Sequence, residues 1–435
     1  MTYEIAPKLE TLVDSTTELI AWEKVESIWQ EKIKGAIANQ IPPHYLVLPK
    51  TPPSLAQIVK YAGEHNLSIL PCGSGSKLSW GGRLQDARLV VSTQNLNRII
   101  EHAVGDLTVT VEAGVKLSDL QQILKQTNQF LPLDPAYPDS ATIGGIVATA
   151  DSGSWRQRYG GIRDMVLGLS FVRADGQIAK AGGRVVKNVA GYDLMKLFAG
   201  SYGTLGIISE VTFRVYPHPD ASGTIALTGE ANAIATAAQI ILKSGLTPTA
   251  AEVVSTASAS NLGIGKEIGL MVRFQSIAES VVKQIAHIES IAQQLNLKTS
   301  FYSNEDETNL WQRWQQIMRI PNSESAVTCK IGIMPNMAIK ALEQLNSWQG
   351  LGTINISSGL GRSHFEKAEL SQLEKMRSLL QNYRGFLTIL EAPILTKKQI
   401  EPWGYTGNAL EIMRRIKQNF DPNNLFSPNR FVGEI

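Results

Sequence analysis

Cysteine is almost absent from this chain of 435 residues, with Cys72 and Cys329 the only two. They are far apart and form no CxxC pair, so the chain falls short of the roughly four thiolates that an ordinary iron–sulfur cluster needs. The same scarcity fits a reducing compartment. Histidine is sparse too: His44, His65, His102, His218, His287 and His364 are dispersed, with no HxH, HxxH or His-Glu pair to hold a metal. Neither sign of charge is in excess, since 41 basic and 39 acidic residues leave a formal +2. That balance carries no electrostatic footprint for nucleic acid or an anionic membrane. No apolar run approaches the roughly 20 residues that span a bilayer. The N-terminus carries Glu4, Glu10, Asp14 and Glu18 and lacks a signal-peptide pattern. The expectation is a cytoplasmic protein with no transmembrane segment. There is no GxSxG elbow, and no pair of carboxylates stands out for acid–base work.

The length exceeds one typical domain of about 100–200 residues. Trp22, Val25, Ile28, Trp29 and Ile33 fall at helical spacing and predict an N-terminal helical segment over 1–40. Short strands and helices then alternate. Strands are predicted at 45–48, 68–70, 89–92 and 107–111. Pro52-Pro53 open a helix with a capping-box pair, Ser54 and Gln57, and Ser118 caps a second. Segments 166–173 and 177–181 flank Asp175-Gly176 as a hairpin, and 205–215 is a further strand. A domain boundary falls at 217–223. Beyond it, helices at 232–243, 278–295 and 367–382 alternate with strands at 268–274, 326–333 and 386–390, an α+β pattern. A helix at 408–420 precedes a proline-punctuated tail.

Glycine supplies the chemistry-bearing pattern. Pro71-Cys72-Gly73-Ser74-Gly75-Ser76-Lys77 follows a strand. Its two glycines permit positive φ and convergent backbone N–H groups that suit an anion, and the serines add hydroxyls. The spacing is not a Walker A loop, and Leu78 stands where a Rossmann fingerprint needs its third glycine. Taken alone, the loop reads as a surface turn. A second segment changes that. It runs through Pro138, Asp139, Ser140, Thr142, Gly144, Gly145, Thr149, Ser152 and Gly153, then Tyr159 and Gly160. Its glycines allow close backbone approach, and its small side chains leave room for a flat cofactor. A third segment, Gly200 to Ile208, places Gly203 and Gly206 before the apolar pair Ile207-Ile208. Arg83, Arg156, Arg158 and Arg163 lie near these motifs and could offset phosphate charge. Trp80 and Trp403 are candidates for stacking on a flavin.

In this order the three segments resemble the FAD-binding domain of the PCMH-type, or vanillyl-alcohol-oxidase, flavoprotein family. The resemblance implies an α+β fold. A two-part PCMH-type FAD-binding domain occupies 41–220, an α+β cap domain 221–395, and a C-terminal segment 396–435 whose helical tail returns to the flavin domain. It implies that Pro71 to Lys77 bind the FAD pyrophosphate, that Pro138 to Gly145 and Thr149 to Ser152 form the second motif, and that Tyr202 to Ile208 meet the adenosine. On that assignment Gly75→Asp is expected to place a carboxylate where the pyrophosphate sits. The tail from Phe420 to Arg430 resembles the family's F-D-P-x-x-x-x-N-P-G-[KR] ending. Ser427 and Asn429 depart from it, so no flavin contact is carried over to Asn429 or Arg430. The family's covalent attachment points are missing, with no histidine in 66–101 and no cysteine in Tyr137 to Ser140. FAD is therefore expected to be non-covalent, and Cys72 reads as a small buried residue.

Within the family, Arg163-Asp164-Met165-Val166 and the Gly182 to Leu194 stretch, with Lys187 and Asp193, are similar to the glycolate oxidase FAD-binding subunits of the GlcE type. That implies a part in oxidising glycolate, a small 2-hydroxy acid. It also implies two partners, a homologous catalytic flavoprotein subunit and an iron–sulfur subunit, through which any membrane association would run. No catalytic base stands out, and His364 is the best single candidate for a place near the flavin. A stand-alone 2-hydroxy-acid or sugar-acid dehydrogenase is one alternative. A non-catalytic assembly subunit with a vestigial flavin site is the other.

Overall fold

The computed structural model describes residues 9, 17–39, 41–185, 191–317, 319 and 325–435. Lys187, Glu4, Glu10 and Asp14 lie outside the described residues. The chain divides into two compact units. The first draws on Met1–Ser152, Gly161–Pro217 and Gly407–Ile435, the second on Gly153–Gly160 and His218–Thr406.

The first unit holds a four-stranded sheet in the order Glu18–Ala21, Tyr45–Leu48, Leu89–Ser92, Ile69–Cys72. The last three strands are parallel and the first is antiparallel to its neighbour. Tyr45–Leu48 and Leu89–Ser92 are buried along their whole length, as central parallel strands are. The helix Pro52–Glu64 packs Leu55, Ile58, Val59 and Ala62 onto Val47, Ile69, Leu89 and Val91. Its N-cap is Thr51, whose hydroxyl accepts the Ser54 N–H at 3.2 Å, so the Ser54/Gln57 box does not form. Two prolines sit comfortably in the first turn, where no N–H is needed, and the helix starts earlier than the box places it. The helix Leu117–Lys125 likewise starts after Lys116, with Ser118 inside its first turn.

The N-terminal helical segment is corrected in the same way. Within the described residues 17–39, Ser27–Ala36 is the α-helix, Glu18–Ala21 is a strand and Trp22–Lys24 a 3-10 turn. Pairing with the buried strand Tyr45–Leu48 outweighs the local helical spacing. A second, five-stranded antiparallel sheet runs Ile99–Ala103, Thr108–Glu112, Ile207–Arg214, Val166–Val172, Ile178–Gly182. Its last two strands form the predicted hairpin, with Val172 opposite Ile178.

The second unit is built on one eight-stranded antiparallel sheet. Its order is Lys298–Ser303, Ala221–Gly229, Ile268–Ser276, Ala250–Val254, Leu351–Asn355, Leu360–Phe365, Val327–Gly332, Phe386–Glu391. Alternate strand residues face opposite sides. Ile225 and Leu227 join a core with the helices Ala231–Lys243, Ala278–Gln294, Ala338–Ser347 and Leu370–Asn382. Ala226 and Met271 join a separate core with Trp311 and Trp314. Among the described residues no helix is long and apolar enough to cross a membrane.

Candidate cofactor site

The three glycine segments come together in the first unit. They surround about 720 Å³ of empty space, part of it open to solvent. Pro71 to Leu78 form one wall, Thr142, Gly144, Gly145, Ala148 and Thr149 a second, and Ser201 to Gly203 with Gly206 to Ile208 a third. Thr93 and Arg430 complete the lining. Pro138, Asp139, Ser140 and Ser152 belong to the same unit but do not line the cavity. Ser140 braces it, because its carbonyl accepts the Ser74 hydroxyl, and Ser152 Oγ accepts the Ile162 N–H at 2.9 Å. Gly153, Tyr159 and Gly160 fall in the 153–160 excursion that belongs to the second unit.

Backbone approach explains the glycines. A Cβ on Gly73 would lie 2.0 Å from Thr142 Oγ1, so the first and second walls touch there only because no side chain intervenes. Gly75 has φ +72°, and its Cβ would meet the Trp29 ring at 2.9 Å. Gly75→Asp would therefore strain the loop and collide with Trp29. It would not aim a carboxylate at the cavity, which corrects the expectation for that substitution. Ser92 Oγ donates to the Gly73 carbonyl at 2.9 Å, and the Thr93 N–H donates to that of Cys72 at 2.9 Å, which fixes the loop on its strand.

Two buried cations serve this cavity. Lys77 Nζ lies 3.0 Å from Asp151 Oδ2. Arg430 is 5% exposed, and its Nη2 donates to the carbonyls of Leu78 at 3.0 Å and Trp80 at 3.2 Å. Burial pulls the Arg430 guanidinium down to about 10, still well above neutrality. Burial pushes the Cys72 thiol up to about 12, which keeps it protonated and a poor nucleophile. The arginines singled out near the motifs do not line the cavity. Arg83 instead donates to the carbonyls of Gly35 and Ile37, and Arg156 and Arg158 lie in the second unit. Trp80 is buried behind the lining, its ring beneath the Lys77 ammonium, and Trp403 belongs to the second unit.

The tail explains how Arg430 arrives. The Ile69 N–H donates to the Leu425 carbonyl at 2.8 Å and the Ser427 N–H to the Ile69 carbonyl at 2.9 Å. Lys417 Nζ then ties three groups together: Asp421 Oδ2 at 2.6 Å, the Phe426 carbonyl at 2.9 Å and the Thr204 carbonyl at 3.0 Å. Sequence reasoning passed over Lys417 and set Arg430 aside. The one signal was the family-like tail, weakened by its own departures.

The donor set fits a dinucleotide. Ser201 Oγ lines the cavity, is buried, and has no hydrogen-bond partner among the described residues. Such a hydroxyl calls for an acceptor that a ligand would bring. Loop N–H groups, serine hydroxyls and two fixed cations match a pyrophosphate between two ring systems. His364 sits elsewhere, on the sheet of the second unit. Its Nδ1 is 2.9 Å from Thr328 Oγ1, and burial lowers its pKa to about 4, so the ring is neutral at pH 7.

Residues 43–182 match the family model described as an FAD binding domain, and residues 395–431 match that of the FAD linked oxidases, C-terminal domain. The chain is 31% identical over 258 residues to glycolate oxidase subunit GlcD of Bacillus subtilis, a match that takes in 57% of this chain and 55% of that subunit. It is 26% identical to the mitochondrial D-lactate dehydrogenase [cytochrome] of Arabidopsis thaliana, over 90% of this chain and 73% of that one. The fold is shared with p-cresol methylhydroxylase, at TM-score 0.73 and 15% identity, covering 98% of this chain and 96% of the other. Two of the glycine segments that meet around the cavity lie within the first of these matches and the tail that carries Arg430 within the second, so the chain is similar in sequence to FAD-dependent oxidoreductases and shares its fold with p-cresol methylhydroxylase.

Proposed function

We propose that the chain is the FAD-binding subunit of a glycolate oxidase or dehydrogenase complex, taking part in the oxidation of glycolate, a small 2-hydroxy acid, to glyoxylate. The cavity walled by the three glycine segments carries this reading, supported by the similarity to a glycolate oxidase subunit. Bound FAD would supply the hydride acceptor, and the protein its binding and tuning. The loop from Gly73 to Lys77 would hold the pyrophosphate, and Ser201 would donate to the cofactor. Attachment is non-covalent: residues 66–101 contain no histidine, and the Cys72 thiol stays protonated.

The second unit supports a division of labour within a complex. A base with a pKa of about 4 is a weak acceptor for a hydroxyl proton at pH 7, so His364 does not fit that task. In this reading a homologous catalytic flavoprotein subunit provides the base. An iron–sulfur subunit takes the electrons, since two cysteines cannot hold an ordinary cluster. In this reading the complex is cytoplasmic, and any membrane association runs through the partners. Similarity to a D-lactate dehydrogenase over 90% of this chain favours a second reading, a stand-alone 2-hydroxy-acid dehydrogenase.

An absorption spectrum of the purified chain tests both. Flavin bands that pass into the supernatant on acid precipitation, and that persist when glycolate is added without air, are the expected outcome. Bleaching by glycolate or D-lactate would favour the stand-alone enzyme. A colourless chain that ignores added FAD would overturn both and leave a vestigial assembly subunit.

A further inference from the structure

Two buried charges meet at the cofactor cavity. Lys77 ends the glycine loop, and Asp151 follows the short helix Ile143–Thr149. Their side chains are 5% and 0% exposed, with Nζ 3.0 Å from Oδ2. The same ammonium donates to Thr149 Oγ1 at 3.2 Å, and that hydroxyl donates to the Gly145 carbonyl at 2.8 Å. The Trp80 ring centroid lies 5.3 Å from Nζ. The Ala136 N–H donates to Asp151 Oδ2 at 3.0 Å and orients the carboxylate. Lys77 and Thr149 line the cavity and Asp151 does not, so the cationic member of the pair is the one on the wall. A strut between two walls does not call for charge, because apolar residues of similar volume join buried surfaces at least as well as an ion pair.

We propose that Lys77 and Asp151 form a charge-setting pair for the flavin. The ammonium on the wall attracts the anionic cofactor and favours its reduced form, and the carboxylate paired with it holds that attraction at an intermediate strength. The inference rests on the FAD reading above and deepens it. Two electrons and one proton reduce a flavin, so the bound cofactor gains one negative charge. A fixed cation in a poorly solvated wall stabilises that charge.

The test uses the full chain with Lys77→Met, Asp151→Asn and the double variant. FAD affinity is read by fluorescence titration of the flavin-free protein. The midpoint potential is read by anaerobic titration with dithionite, which supplies the electrons, against a reference dye. Lys77→Met is expected to weaken FAD binding on the order of tenfold and to lower the midpoint. Asp151→Asn is expected to tighten binding and to raise the midpoint. The double variant should return toward the wild type. A tenfold change in preference for the reduced form corresponds to about 30 mV for a two-electron couple. Single variants that shift in the same direction would show a strut and overturn the proposal, as would no shift in either. Circular dichroism checks folding. If Lys77→Met fails to fold, Asp151→Asn alone decides, because a strut demands weaker binding and a charge pair tighter. A wild-type chain that binds no FAD would overturn the cofactor reading itself, before any variant is compared.

Discussion

The two units handle polar groups in different ways. In the first, the chemistry sits on backbone: glycines bring three segments close, and side chains such as Ser201, Lys77 and Arg430 decorate the space between them. In the second, several polar groups pair with one another inside a sheet. Glu307 accepts from Thr224 at 2.7 Å and pairs with Arg273 at 3.1 Å, while Trp311 donates to Thr224 at 2.9 Å. Glu252 accepts from Thr353 at 2.8 Å and from Asn355 at 3.2 Å. A site made by backbone approach leaves a contiguous pattern of small residues. A sheet whose polar groups satisfy one another leaves none, and its side chains are free to vary as long as they pair.

The sharpest way to break this contrast is Gly73→Asp. Its Cβ has no room against Thr142, so the purified variant should lose its flavin absorbance while far-ultraviolet circular dichroism shows the rest folded. Normal flavin content would place the cofactor elsewhere. Next in size is Lys417→Met, which strands the buried Asp421 carboxylate. Denaturant titration should show a loss of about 3–5 kcal/mol. A neutral result would mean that the tail does not depend on that ion pair.

A third effect belongs to the second unit. His364 has a folded pKa of about 4 against 6.5 for the free ring. Between those values the unfolded chain binds more protons, so stability is full above pH 6.5 and falls as the pH drops toward 4. The loss approaches about 3 kcal/mol on the order-of-magnitude scale of 1.4 kcal/mol per pKa unit. His364→Gln should flatten that slope in a melting series, and an unchanged slope would assign it to other groups. The smallest effect is Ser201→Ala. It removes a buried hydroxyl without a partner, so the flavin-free protein should melt at the same temperature or slightly higher. FAD affinity should fall by about 0.5–1.5 kcal/mol. Lower stability without FAD would show that the hydroxyl already has a partner.

What could be read in advance follows the same division. The strands Tyr45–Leu48 and Leu89–Ser92, the hairpin at Asp175-Gly176 and the glycine segments are local patterns, visible within a few residues. Glu18–Ala21 was not legible as a strand, because its partner decides its conformation and its own apolar spacing suits a helix equally well. Gly73 and Gly75 look alike in sequence. Only the positions of Thr142 and Trp29 separate close approach to the second wall from a positive-φ turn packed on the core. Arg430 and Lys417 were beyond reach for a simpler reason. The carbonyls they hold, at Leu78, Trp80 and Thr204, lie hundreds of residues earlier, and no short motif encodes such a pairing.

The tail's bonds to Ile69 impose an order on how the protein is made. Residues 71–78 leave the ribosome early, and chains fold in the direction of their synthesis. The carbonyls that Arg430 grips stay open until residue 430 has been made, and Leu425 and Ser427 reach the strand before the loop only shortly before it. A ribosome stalled before residue 425 would hold a chain with its glycine loop exposed and its latch missing. Cofactor retention thus waits on residues 425–430, and chains truncated before them would be marked by their failure to keep it.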